Sequence, residues 1–182
     1  SCAAYQLGSD YVTGVPIRQE LLEKAIGWVA LRDGTTVEDY MGVHQPDPNA
    51  NDLWLHYQAV IAWSKATFPV ARKELKSVDW GALYLAHGKD ALDGAALEAE
   101  VSRLMQDEDV TKKAGVYAYL LDGQEKHLSI RAFTDRQKRE AFERQDGVCP
   151  VCGNTFTLPQ MEADHITPWS KGGRTISENC QM

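Results

Sequence analysis

The sequence predicts a mainly α chain, with a helical domain over residues 1–125 followed by a small module over residues 126–182 built around a C-x-x-C turn. Three observations lead there. Apolar residues recur at helical spacing through most of residues 16–121, Pro and Gly punctuate them, and the charge changes sign along the chain. The 182 residues are 43% apolar and 25% charged, inside the globular range and outside that of disordered or collagen-like chains. No apolar run approaches a membrane span, and the opening SCAAYQLGSDY lacks the basic start and apolar core of a secretion signal. These features argue against a membrane or secreted protein and place the chain in the cytoplasm.

The first helix is expected from Pro16 to Leu31. Ile17, Leu21, Ala25, Trp28 and Val29 share a face, Pro16 suits a first turn, and Gly34 suits a stop. A short helix follows Thr35 or Thr36, whose hydroxyl can cap it with Glu38 or Asp39 reaching back. After the loop HQPDPNAN comes a helix over residues 52–68, with Leu53, Tyr57, Val60 and Ile61 as its stripe. Helices are expected over 70–87, 94–107 and 110–121, and the Trp and Tyr residues along them read as core. KHLSIRAF, residues 126–133, suits a short strand or an extended connector. Thr134 then opens a basic helix with Gln137 as its capping-box partner, and Gly147 ends it in a left-handed turn.

The formal charge of −7 speaks against a nucleic-acid partner only until it is divided. Residues 1–125 carry 11 basic and 19 acidic side chains, and residues 126–182 carry 8 basic and 7 acidic. The acidity belongs to the first part, and phosphate contacts depend on where cations sit, not on the total.

Cys149-Pro-Val-Cys152-Gly153 has the form of a zinc knuckle, with two thiolates aimed at one metal and Gly153 accepting a positive φ. A redox dithiol would sit at the start of a helix after a buried strand, whereas this pair follows a helix. Two cysteines make half of a structural zinc site. Cys180, Cys2 and the five His are the remaining candidate ligands in the sequence. TFTLPQMEADHI is patterned as a bent hairpin broken by Pro159, ending in Asp164 and His165. Strand neighbours point to opposite faces, so an Asp-His pair serves one site only where the strand bends or ends. Pro168 and the Gly172-Gly173 pair supply that ending, in a loop that carries Lys171 and Arg174. T-I-S-E-N then opens a last helix capped by Thr175 or Ser177. It returns Asn179 toward the strand end and makes Cys180 a core residue.

This arrangement over residues 149–182 resembles the HNH family of endonucleases, the ββα-metal or His-Me finger nucleases. Their pattern runs C-x-x-C, an acidic residue with D-H-I, a proline, a G-G loop and an Asn; here these are CPVC, MEADHI, Pro168, Gly172-Gly173 and Asn179. The resemblance implies a ββα-metal fold for the module and metal-dependent hydrolysis of DNA phosphodiesters. His165 matches the general base and Asp164 the ligand of the catalytic divalent ion. Asn179 matches the residue that holds the loop and orients the histidine. Magnesium or manganese suits an oxygen-rich site that keeps several waters, and zinc suits Cys149 and Cys152. Lys171, Arg174, Arg136, Lys138 and Arg139 are the candidate DNA contacts, the last three competing with a solvated helix face of i,i+4 ion pairs.

The helical part is similar to the region preceding HNH modules in bacterial restriction and anti-phage proteins, which implies a role in defence against foreign DNA; a helical domain of another nuclease is the alternative. A homo-oligomer, or further domains N-terminal to Ser1, would accord with that. The family's closing Asn or His and its second C-x-x-C do not occur within these residues. The chain therefore reads as a fragment, inactive alone, rather than as a degenerate nuclease. A non-catalytic zinc-knuckle module that binds nucleic acid or protein is the rival reading, and an assembly role for residues 1–125 is a third.

Overall fold

Helix formation follows the apolar spacing, and local side-chain caps set most of the boundaries. The computed structural model describes residues 3–14 and 19–182; Cys2, Pro16 and Ile17 lie outside the described residues. The chain forms two units. One takes the described residues to Met105 together with Lys113–Gln124, and the other takes Gln106–Lys112 and Glu125–Met182.

The first unit is helical: α1 (Ala3–Gly8), α2 (Glu20–Asp33), α3 (Val37–His44), α4 (Asn51–Thr67), α5 (Trp80–His87), α6 (Gly94–Gln106, its last residue counted with the second unit) and α7 (Val116–Asp122). Helix α2 ends at Gly34, left-handed at φ 66°, whose N–H returns to the carbonyls of Ala30 and Leu31. Thr36 caps α3: its Oγ1 accepts from the Asp39 N–H at 3.1 Å and donates to Asp39 Oδ2 at 2.8 Å. Helix α4 packs against α2 and α5, burying Tyr57, Val60 and Ile61, with Leu53 partly buried. Of the aromatic residues expected in the core, Trp28, Tyr40, Tyr57, Trp80 and Tyr117 are buried, whereas Trp54, Trp63, Tyr84 and Tyr119 are half-buried. Trp80 is fully buried, meets Tyr11, Phe68 and Tyr117 at ring distances of 5.7–5.8 Å, and donates its indole N–H to the carbonyls of Tyr11 and Leu75.

Several boundaries differ from expectation. Helix α1 has no apolar stripe to announce it. The helix expected over 70–87 is a 3-10 turn, Lys73–Ser77, followed by α5, because Asp79 accepts from the Ala82 N–H and so starts a new helix. The helix expected over 110–121 begins only at Val116. Residues 106–112, expected in the helical domain, run with the second unit instead: Val110 bridges to Ile130, the Arg131 N–H donates to the Asp109 carbonyl at 2.7 Å, and the Lys112 N–H donates to that of Leu128 at 2.9 Å. Backbone pairing across 16–22 positions in sequence decided this, and no composition change marks it.

The second unit contains α8 (Asp135–Arg144). Its capping box is complete, with Thr134 Oγ1 accepting from the Gln137 N–H and Gln137 Oε1 accepting from the Thr134 N–H. The stop is a Schellman turn in which Asp146 takes the left-handed position at φ 51° and Gly147, at φ 69°, donates to the Phe142 carbonyl. The hairpin expected over 156–166 is not formed. Instead, Val148 bridges to Thr155 around the cysteine turn, Leu158–Gln160 makes a 3-10 turn, and β1 (Asp164–His165) pairs antiparallel with β2 (Cys180–Gln181). The expected last helix is a 3-10 turn, Ser177–Asn179, running into β2. Cys180 pairs opposite His165 in the sheet and so cannot continue a helix.

Cys180 is still core, as expected, packed with Phe133, Ala141 and Met182. Helix α8 is tied to the strand region by Arg144, which donates to the carbonyls of Ser177 (3.1 Å) and Cys180 (2.6 Å), and by Gln145, whose Oε1 accepts from the Met182 N–H at 2.7 Å.

Thr134→Ala should lower the stability of the second unit by about 1 kcal/mol, since it exposes helix N–H groups that the hydroxyl now satisfies. Urea denaturation followed by a probe in α8 measures this. An unchanged midpoint would mean that the tertiary ties of α8, not its cap, hold it.

Candidate active site

The strand β1 is two residues long and ends at once. For that reason its two neighbouring side chains, Asp164 and His165, can both line one cleft of about 480 Å³. Phe133, Lys138, Glu162 and Trp169 line the same cleft. Asp164 is exposed, and its Oδ1 accepts from the His165 N–H at 2.7 Å. His165 is half-buried, with its ring 4.5 Å from that of Phe133 and its Nε2 3.1 Å from Thr175 Oγ1.

The loop after β1 is held by Asn179. The Asn179 Oδ1 accepts from the Thr167 N–H at 2.8 Å, and Nδ2 donates to the carbonyls of Thr167 (3.0 Å) and Arg174 (2.9 Å). Its own carbonyl accepts from the Ile166 N–H at 2.9 Å. Gly172 turns the chain at φ 87°. A Cβ at Gly173 would overlap the Thr167 carbonyl and lie 2.7 Å from Asn179 Nδ2, so the loop closes only over glycine.

The cysteine turn is a separate construction. The Gly153 N–H donates to the Cys149 carbonyl and the Cys149 N–H to that of Asn154, both at 2.9 Å, with Gly153 at φ 72°. The backbone N–H groups of Cys152 and Val151 hold the Cys149 thiol below its usual range, which favours the thiolate that binds metal. Cys149 and Cys152 line a second cavity of about 320 Å³, which Glu162 and Asp164 also border. Two thiolates at knuckle spacing fit half of a tetrahedral zinc site. One exposed carboxylate fits a hard cation that keeps most of its waters. Among the described residues no three His, Cys, Asp or Glu side chains converge as a metal-binding group. Cys180, a candidate zinc ligand in the sequence, is fully buried in the core and its thiol is pushed up by burial.

The basic residues divide. Arg136 is 83% exposed and pairs with Glu140 at 3.2 Å, while Lys138 faces Asp135 at 4.0 Å and lines the cleft. Arg139 and Lys171 are exposed. Arg174 lies 3.7 Å from Asp107 and 3.9 Å from Asp109. Four contributors were not legible as site residues: Asp107, which meets the Trp169 indole N–H at 3.3 Å; Asp109 and Gln137, which hold Thr175; and Thr175 itself, expected only as a helix cap. Their partners are 38–66 positions away, and no motif joins them.

Residues 149–182 match the model of the HNH endonuclease family. No curated protein and no solved structure matches the chain. The match gives this stretch a nuclease-type, hydrolytic function, for which DNA is a consistent partner. Among the described residues no helix is long and apolar enough to cross a membrane.

Gly173→Ala should open the loop. The added methyl would displace Thr167 or Asn179 at a cost of about 1–3 kcal/mol. Hydrogen exchange at the Thr167 amide reports it directly: faster exchange is expected, and unchanged protection would show that the loop absorbs a methyl.

Proposed function

We propose that the second unit is a metal-dependent DNA endonuclease with His165 as general base. The observation that carries this reading is the pairing of Asp164 and His165 at one cleft, beside a loop locked by Asn179, within a stretch that matches the family. A phosphodiester needs a base that works near neutral pH, and imidazole is the side chain suited to it. Magnesium or manganese, held by Asp164, supplies stabilisation of the charge that builds on the phosphate and the leaving oxygen. His165 takes the proton of the attacking water, and Asn179 keeps the loop around it from shifting. Cys149 and Cys152 hold structural zinc and support the strand that bears His165. Arg136, Lys138, Arg139, Lys171 and Arg174 contact the DNA backbone. We assign the protein to restriction or defence against foreign DNA.

His165→Ala in the full-length gene product should abolish plasmid nicking while retaining the fold and DNA binding. Asp164→Asn should raise the concentration of magnesium or manganese needed, and EDTA should stop the reaction. Nicking by the His165 variant at the wild-type rate would move the base elsewhere. DNA binding by wild type without any nicking in either metal would favour a non-catalytic knuckle module.

A further inference from the structure

Thr175 lies against the histidine that the preceding reading makes the base. It is buried, with its Oγ1 3.1 Å from His165 Nε2 and 3.3 Å from the main-chain carbonyl oxygen of Arg131. A carbonyl can only accept, and a hydroxyl has a single proton to give. One arrangement satisfies both contacts: the Thr175 O–H donates to the Arg131 carbonyl, and its oxygen accepts the proton on His165 Nε2. The ring is then the Nε2–H tautomer, with its lone pair on Nδ1.

Thr175 is fixed in turn by two other segments. Its N–H donates to Asp109 Oδ2 at 3.0 Å, and its carbonyl accepts from Gln137 Nε2 at 3.2 Å. Asp109 is itself buried, with Arg174 3.9 Å away. Phe133 packs on the imidazole ring. The hydroxyl is therefore presented to the ring from a backbone that side chains hold on both sides, an arrangement that filling the space alone would not require.

We propose that Thr175 is a positioning residue that holds His165 in the Nε2–H tautomer and so makes Nδ1 the atom that takes a proton. The inference rests on His165 being the base. In that step one proton passes from water to Nδ1, the ring becomes an imidazolium, and the proton on Nε2 stays with Thr175. The other tautomer would present an N–H where a lone pair is needed and could not act.

The test uses long-range nitrogen–proton spectra of the full-length protein labelled at histidine, at a pH where the ring is neutral, together with plasmid nicking. In wild type, His165 should carry its proton wholly on Nε2, and that proton should be slow enough in solvent exchange to be seen directly. Thr175→Val, which keeps the shape and removes the hydroxyl, should lose the visible proton and mix the two tautomers. Its kcat should fall about 10- to 100-fold, in the range typical of partners that orient a reacting group, with KM little changed. Thr175→Ser should restore both the spectrum and kcat. A proton on Nδ1 in wild type would overturn the proposal whatever the variants do, and so would a Val variant that keeps the wild-type tautomer and exchange rate. The spectra do not depend on cleavage. Failure of His165 as base, seen as nicking by His165→Ala, is thus told apart from failure of Thr175 as the group that sets its tautomer.

Discussion

A two-residue ladder is too short to hold a side chain to catalytic precision, so the geometry around His165 depends on one amide. Asn179 uses its carbonyl oxygen and its amino group together, gripping the N–H and C=O of Thr167 and the carbonyl of Arg174. This closes the loop between the two strands into a ring of fixed size. Gly173 is needed because the ring leaves no room for a Cβ, and β2 starts where it does because Asn179 must reach back. These bonds lie at the surface, so each adds only a modest amount to stability, and their effect is to fix the loop's shape.

The rest of the unit steadies that ring from outside. The apolar cluster against α8 is small, formed by Phe133, Ala141, Cys180 and Met182 with a few half-buried neighbours, so packing there gives limited rigidity. Polar ties from α8 add to it: Arg144 reaches the carbonyl of the first residue of the last 3-10 turn and that of the residue just after it, and the Ser177 hydroxyl meets Glu140 at 2.6 Å. Basic side chains on one helix therefore have different work. Arg144 is structural, whereas Arg139 is exposed and Arg136, exposed too, pairs with Glu140 on its own helix.

Much of this was legible wherever the signal was local. The T-x-x-Q box at Thr134, the left-handed stop at Gly34, the stripe of α4 and the turn at Gly172 each involve residues within a few positions of one another, and their spacing carries the physics. The D-H pair and Asn179 were legible as a pattern, and the structure adds the bonds that Asn179 makes to the loop after β1. What the sequence did not reveal depends on distant pairing. Cys180 looked like part of a helix because nothing nearby says that it pairs with His165. Asp109 falls between two expected helices, and nothing near it shows that its partner, Thr175, is 66 positions away. The split of residues 70–87 was legible in principle, since Asp79 followed by Trp80 is a capping position, but the apolar run around it masked the signal.

The interleaving of the two units reaches beyond architecture. The backbone passes between them three times, and residues 106–112 sit with the C-terminal unit while 113–124 return to the first. A gene fragment beginning where the composition changes, near Gly123, would encode the whole family-matching stretch yet leave out Asp107 and Asp109. Recombination that moved the nuclease stretch into a new host protein would have to bring α7 with it, or supply substitutes for those two carboxylates. The point where the composition changes and the point where the second unit can be cut whole are therefore different, and the latter lies upstream of Gln106.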